Sequence, residues 1–139
     1  MKAITPYLNF DGNCREAMTF YQTCLGGELQ LTTLGEMDPS SPPEVRNRLM
    51  HARLVSASTI LMASDTMPGM PSFNPGDNVW LSLNCDTDDE VNTLYPLLSK
   101  GGKAVMEPHD APWNARFGMF TDQFGVHWML HYERAAQQA

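Results

Sequence analysis

The sequence predicts an α+β protein made of two copies of one βαβββ module, and three observations carry that prediction. The segment Leu8-Asn9-Phe10-Asp11 returns as Leu83-Asn84-Cys85-Asp86, 75 positions later, and Gly26-Gly27 returns as Gly101-Gly102 at the same offset. Between each pair of anchors lies a stretch of helical periodicity. After each glycine pair come three runs that read as strands.

In the first module a strand spans about 3–10. A helix follows, with Asn13 as its N-cap, Glu16 three residues on, and apolar Ala17, Phe20, Tyr21 and Cys24 at i, i+3, i+4 and i+7. Gly26-Gly27 ends it, because glycine enters the left-handed conformation of a helix C-terminus without a Cβ penalty. Strands are expected at about 28–36, 49–56 and 58–65.

The second module opens with a strand at about 78–85. Its helix begins at Thr87 with Glu90 as the capping partner and buries Val91, Leu94, Tyr95 and Leu98. The helices are offset by one residue less than the anchors (Asn13 to Thr87), a slip that loops absorb. Pro96 removes one backbone hydrogen bond and predicts a kink or an early 3₁₀ turn. Strands follow at about 103–107, 115–121 and 126–132.

The stretches from Met37 to Arg48 and from Thr66 to Asp77 are rich in proline, glycine and serine and read as loops. The chain is thus expected to be a single domain, residues 1–139: module one about 1–66, a linker 67–76, module two 77–133 and a C-terminal tail 134–139.

Composition limits the function. With 139 residues, 42% hydrophobic and 18% charged, the chain suits one globular domain. A net charge of −7, with nine Lys and Arg in total, argues against a nucleic-acid partner and against an anionic membrane surface. Asn9 and Asp11 interrupt the N-terminus before a signal-peptide core forms, and no apolar run reaches transmembrane length, so a cytoplasmic protein is expected. Cys14, Cys24 and Cys85 are odd in number and lack Cys-x-x-Cys spacing, which fits reduced structural thiols. Cys14 and Cys24 lie about 15 Å apart along one helix, too far to bridge.

The segments Ile4 to Phe10, Gly12 to Ala17, Phe20-Tyr21, Leu61 to Asp65, Trp113 to Gly118 and Asp122-x-Phe124-Gly125-x-x-Trp128-Met129 resemble the PhnB-like branch of the vicinal oxygen chelate superfamily. Glyoxalase I, extradiol dioxygenases and bleomycin-resistance proteins belong to that superfamily. The resemblance implies the glyoxalase/bleomycin-resistance-like fold, in which each module curls into a half-barrel and paired half-barrels form a small-molecule cleft. It also implies a homodimer. In metal-using members, His, Gln or Glu on the first and last strand of each module hold a divalent ion that chelates paired substrate oxygens.

At the matching positions this chain has Pro6, Met62, a fifth strand without any His, Gln, Glu or Asp, and Met129. Thioether is a poor ligand for Zn²⁺, Mn²⁺ or Mg²⁺. His127 and His131 lie about 13 Å apart along one strand and cannot share an ion, so a displaced site would have to draw on His51 or Asp65. No cofactor is therefore predicted, and no catalytic residue is assigned.

The candidate ligand-binding residues are His51, Met62, Ser64, Asp65, Trp113, Arg116, Phe117 and Met129. His51 lies in the strand expected to pair with the usual metal-bearing strand. Asp65 suits a cationic ligand group or a base, and equally a loop-capping turn. Trp113 and Phe117 suit stacking on a planar ligand, and Arg116 suits an anion. Trp128 instead alternates with Val126, Leu130 and Tyr132 on an apolar face and reads as core, while Asp122 to Gly125 reads as a turn.

Three functions come into question for these residues: metal-independent binding or catalysis on a small organic molecule, sequestration of a cationic drug in the manner of bleomycin-resistance proteins, and methyl transfer. A metal-dependent lyase or dioxygenase with displaced ligands is a further alternative. Methyl transfer from S-adenosylmethionine calls for a Gly-rich strand-to-helix turn, whereas both glycine pairs follow helices.

Overall fold

The computed structural model describes residues 1–134 and divides the chain into two compact units, Met1–Asn74 and Pro75–Ala139. The division falls inside the proline-rich linker.

Unit one runs β1 (Tyr7–Phe10), α1 (Cys14–Leu25), β2 (Glu28–Thr33), α2 (Leu34–Met37), β3 (Leu49–Ser56) and β4 (Thr59–Asp65). Its sheet has the order β1-β4-β3-β2, with β1 parallel to β4 and the remaining pairs antiparallel. Unit two runs β5 (Leu81–Asn84), α3 (Asp88–Leu98), β6 (Lys103–Ala111), β7 (Ala115–Thr121) and β8 (His127–Glu133). Its sheet order, β5-β8-β7-β6, repeats the first, again with one parallel pair. The predicted α+β class and the duplicated βαβββ order therefore both hold.

Strand β5 is shorter than the sequence reading, Leu81–Asn84 against about 78–85, and four further features differ, each for a local reason. Strand β1 starts at Tyr7, after Pro6, which has no N–H for a ladder; its carbonyl still accepts from the Met62 N–H at 3.1 Å. Strand β2 stops at Thr33 instead of 36. There the Thr33 hydroxyl accepts from the Glu36 N–H, and the Glu36 carboxylate accepts from the Thr33 N–H, a capping box that turns the chain into α2. Strand β6 extends to Ala111, with register shifts either side of Met106 that take up Pro108. Helix α3 neither stops nor tightens at Pro96: the Ser99 N–H still reaches the Tyr95 carbonyl, an α-type bond, at 3.0 Å.

Each helix packs one face on its sheet. In unit one Cys14, Ala17, Met18 and Tyr21 are fully buried against Ala52, Leu54, Leu61, Ala63 and Phe10. In unit two Val91, Tyr95 and Leu98 meet a sheet face carrying Phe120, Trp128 and Leu130. Burial of each large side chain contributes about 1.5–3 kcal/mol. The Tyr95 hydroxyl donates to the Met119 carbonyl at 2.8 Å, and its ring lies so close over Gly118 that a Cβ there would sit 3.0 Å from it. The second glycine of each pair is demanded by a similar approach. A Cβ on Gly27 would strike the Val55 carbonyl, and one on Gly102 the Thr121 carbonyl.

Trp128 is core, 3% exposed, with its indole N–H donating to Asp122 at 2.9 Å. The other Asp122 oxygen accepts from the Phe124 and Val126 N–H groups, which makes the expected turn before β8. Arg134 is anchored, bridging Asp88 at the start of α3 and Asp110 on β6 at 3.0 and 2.6 Å. The rest of the expected tail, 135–139, lies outside the described residues. Among the described residues no helix is long and apolar enough to cross a membrane.

The start of α1 is held from a distance. Asn13 occupies the N-cap position but makes no side-chain capping bond. Asp65, 2% exposed at the end of β4, accepts from the N–H groups of Gly12 and Cys14 on one oxygen (2.8 and 3.0 Å) and of Leu49 on the other (2.8 Å). One carboxylate thus ties the β1–α1 loop to the start of β3. Asp65→Asn sets an amide N–H₂ against at least one of these donors and is expected to lower unfolding free energy by about 2–3 kcal/mol. Urea unfolding checks this, and an unchanged midpoint would contradict the assigned role.

Candidate functional site

Side chains alternate across a strand, so each sheet turns one face to its helix and presents a second row of residues on the other. The candidate residues can be sorted by that alternation.

In unit one the second face carries a row across four strands, Tyr7–Met62–Arg53–Gln30, with Asn9 beside Ser64 one pair further along. His51 shares this face and pairs with Thr32. Its Nδ1 shares a 3.2 Å hydrogen bond with the Tyr7 hydroxyl, and the two rings lie 5.8 Å apart. The Ser64 hydroxyl donates to the Asn9 amide oxygen at 3.5 Å, a long contact. His51, Met62 and Ser64 are therefore brought together, with Tyr7 and Asn9 added. Asp65 stands on the opposite, helix-facing side, and both of its oxygens are engaged by backbone donors. It is thus drawn out of the candidate cluster and into the role of a loop cap. A surface depression of about 530 Å³ beside it, bordered by Gly12, Arg15, Glu16 and Asn47, lies at the start of α1.

Unit two repeats the pattern. One row reads Ser82–Met129–Met119–Met106 and the next reads Asn84–His131–Phe117–His109. Trp113, 55% exposed in the β6–β7 turn, stacks on His131 at 6.4 Å with an angle of 23° and donates its indole N–H to His131 Nε2 at 3.1 Å. Phe117 meets Trp113, His109 and His131 edge-on, with centroids 5.8, 6.0 and 6.1 Å away. Trp113, Phe117 and Met129 thus share one surface.

Arg116 does not join them. It lies on the helix side of β7, where Nε donates to the Asn92 amide oxygen on α3 at 3.1 Å and Nη1 pairs with Asp110 at 3.4 Å. Alternation places it one residue from Phe117 and hence on the other face. Sequence reasoning passed over His109 and Tyr7 and set His131 aside as a remote metal ligand. The readable signal was parity: His131 has the parity of Met129, and His109 becomes its row-mate only through the β6 register shifts.

His127 is occupied structurally, since its two ring nitrogens contact the Thr121 hydroxyl (2.8 Å) and the Gly76 carbonyl (3.0 Å) while Trp80 stacks on it at 4.8 Å. Among the described residues no three of His, Cys, Asp and Glu converge to hold a metal ion. The residues present do not fit the divalent site of metal-using relatives. The equivalent positions beside the parallel pairs, Tyr7↔Met62 and Ser82↔Met129, both end on a thioether.

A mixed four-stranded sheet with one helix, used twice, is the architecture of glyoxalase/bleomycin-resistance/dioxygenase proteins. The chain matches a glyoxalase/bleomycin resistance protein/dioxygenase family enzyme from Burkholderia phytofirmans PsJN with a TM-score of 0.64 at 16% identity, over 94% of this chain and 99% of that one. Nearer relatives narrow the class. Protein PA1353 from Pseudomonas aeruginosa is 43% identical, with a TM-score of 0.83 over 96% of this chain and 98% of that one. The "putative 3-demethylubiquinone-9 3-methyltransferase, PhnB protein" from Bacillus cereus is 25% identical, with a TM-score of 0.71 over 94% and 99% of the two chains. Protein YjdN of Escherichia coli (strain K12) is 33% identical over 140 residues, 92% of this chain and 93% of that protein. Residues 2–131 match the family model described as 3-demethylubiquinone-9 3-methyltransferase, and the chain belongs to that family, the PhnB-like branch of the glyoxalase fold.

The cysteines stand apart from these surfaces. Burial pushes the thiols of Cys14 and Cys85 up to about 12, helped by nearby Asp65 and Glu90 respectively. A thiol whose folded value is raised from 9.0 contributes stability that is intact below pH 9 and lost as pH climbs toward about 12. Two outcomes follow: native protein at pH 8 reacts with a thiol reagent at no more than one cysteine, and melting temperature falls steadily above about pH 9. Labelling of all three thiols in folded protein would contradict this burial.

Proposed function

We propose that this protein binds or transforms a small organic molecule without the divalent metal used elsewhere in the superfamily. The observation that carries the reading is the paired methionines. Met62 and Met129 stand at equivalent registers in the two units, on the strands where metal-using relatives place polar ligands, and their neighbours across the parallel pair are Tyr7 and Ser82. What surrounds them suits organic ligands: aromatic rings, imidazoles and polarisable thioethers, with Arg53 the charged member of Met62's row. The net charge of −7 also disfavours phosphate-bearing substrates.

Methyl transfer, although named in the family's description, receives no support from the strand-to-helix connections. That of β1–α1, Asp11-Gly12-Asn13, holds one glycine, and that of β5–α3, Cys85-Asp86-Thr87, holds none. A cytoplasmic homodimer is the proposed working form. Exposed Val105 and Met106 on the edge strand β6, 50% and 42% accessible, support association of copies.

Protein purified without chelator is expected to carry far less than one divalent ion per chain by elemental analysis. Zn²⁺, Mn²⁺ and Ni²⁺ are expected to leave its melting temperature unchanged, whereas planar organic compounds raise it. A stoichiometric metal that stabilises the fold would overturn the reading. Ligand binding without product formation marks a sequestering protein, and turnover marks an enzyme.

A further inference from the structure

The two histidines that flank Phe117 are engaged through opposite ring nitrogens, His109 through Nδ1 and His131 through Nε2, and this gives the surface a polarity. The Glu107 backbone carbonyl can only accept, so the 2.8 Å contact with His109 Nδ1 places a proton on that nitrogen, and in the neutral ring Nε2 is then the hydrogen-bond acceptor. The Trp113 indole N–H can only donate, so His131 Nε2 is its acceptor and the proton of that ring resides on Nδ1, a donor. Both rings meet Phe117 edge-on, at 84° and 74°, from the strands on either side of it. The two imidazoles are thus separated by two inter-strand spacings, roughly 9.6 Å between backbones.

We infer that unit two holds a recognition site for a neutral planar ring bearing a carbonyl on one edge and an O–H or N–H on the opposite edge. The ring packs on Phe117 and Trp113, its carbonyl accepts from His131 Nδ1, and its hydroxyl or amide N–H donates to His109 Nε2. Met129, Met119 and Met106 form the adjoining row, a soft apolar border that adapts to substituents. The nearest cations, Arg116 and Arg134, are paired with Asp110 and Asp88, Arg116 on the helix side of the sheet, while Glu133 shares the parity of His131 and puts a carboxylate beside this surface. A carboxylate ligand therefore finds no free cation here, and the site selects neutral ligands. This inference rests on the proposed reading of the sheet faces as platforms for organic ligands.

Three ring probes and an anion test it by nuclear magnetic resonance, using long-range ¹⁵N correlations of the imidazoles with each of the four histidines assigned by substitution. Free protein is expected to show His109 protonated on Nδ1 and His131 protonated on Nδ1. Trp113→Phe, which keeps a ring but removes the N–H at an exposed position, is expected to release His131 into a tautomer mixture while leaving His109 unchanged. Of the probes, 4-hydroxyacetophenone is expected to shift both imidazoles and to bind roughly fivefold more tightly than acetophenone or phenol, each of which lacks one hydrogen bond. Benzoate is expected not to bind.

If all the rings bind with similar affinity at this face, the platform stands and the donor–acceptor pairing is overturned. Failure of every probe to shift either histidine would overturn the platform and the pairing together. An unchanged His131 tautomer in Trp113→Phe would sink the pairing on its own.

Discussion

The buried Asp65 carboxylate is the constraint on which unit one depends. Its two oxygens accept from Gly12, Cys14 and Leu49, and so one residue closes the β1–α1 connection, caps α1 and fixes where β3 begins. An ionised carboxylate in a buried position is tolerated only when its hydrogen-bonding capacity is met, and backbone donors meet it here. Because Asp65 is the last residue of β4 and pairs with Phe10, the same contact sets the parallel register of β1 on β4. That register aligns Tyr7 with Met62 and Asn9 with Ser64, and so brings His51 within reach of the Tyr7 hydroxyl.

The second unit meets the same demands with different residues. Asn84 pairs with His131 as Asn9 pairs with Ser64, and the next position on the last strand is Tyr132 where unit one has Asp65. Helix α3 is capped locally instead: the Thr87 hydroxyl accepts from the Glu90 N–H, and the Glu90 carboxylate accepts from the Asp86 N–H. With the carboxylate gone from that register, the row beside it has become aromatic and imidazole-rich. The copies share a scaffold while their second faces have diverged, polar with Tyr7 and His51 in one, stacked with Trp113, Phe117 and two histidines in the other.

Legibility followed the range of each interaction. The Thr87–Glu90 cap lies within four residues and was readable, as were the paired glycine stops and the turn at Asp122. Thr33-x-x-Glu36 was equally local and was missed because the apolar run before it favoured a longer strand. Asp65 offered two meanings, since nothing nearby in the chain shows that its partners sit more than fifteen residues away. Arg116 fell on the wrong face because its neighbours Trp113 and Phe117 drew it into one motif, although strand parity separates it from Phe117.

What the sequence by itself determined is the architecture: two βαβββ modules, their order and their helix faces. These depend on periodicity, local capping and glycine conformation, all written in consecutive residues. Only the tertiary structure decided the grouping of side chains on the sheet faces. Grouping there depends on cross-strand register, and the register depends on bulges in β6 and on one distant carboxylate, neither of which leaves a periodic trace. His109 and His131 are 22 positions apart in the chain and meet the same phenylalanine for that reason alone.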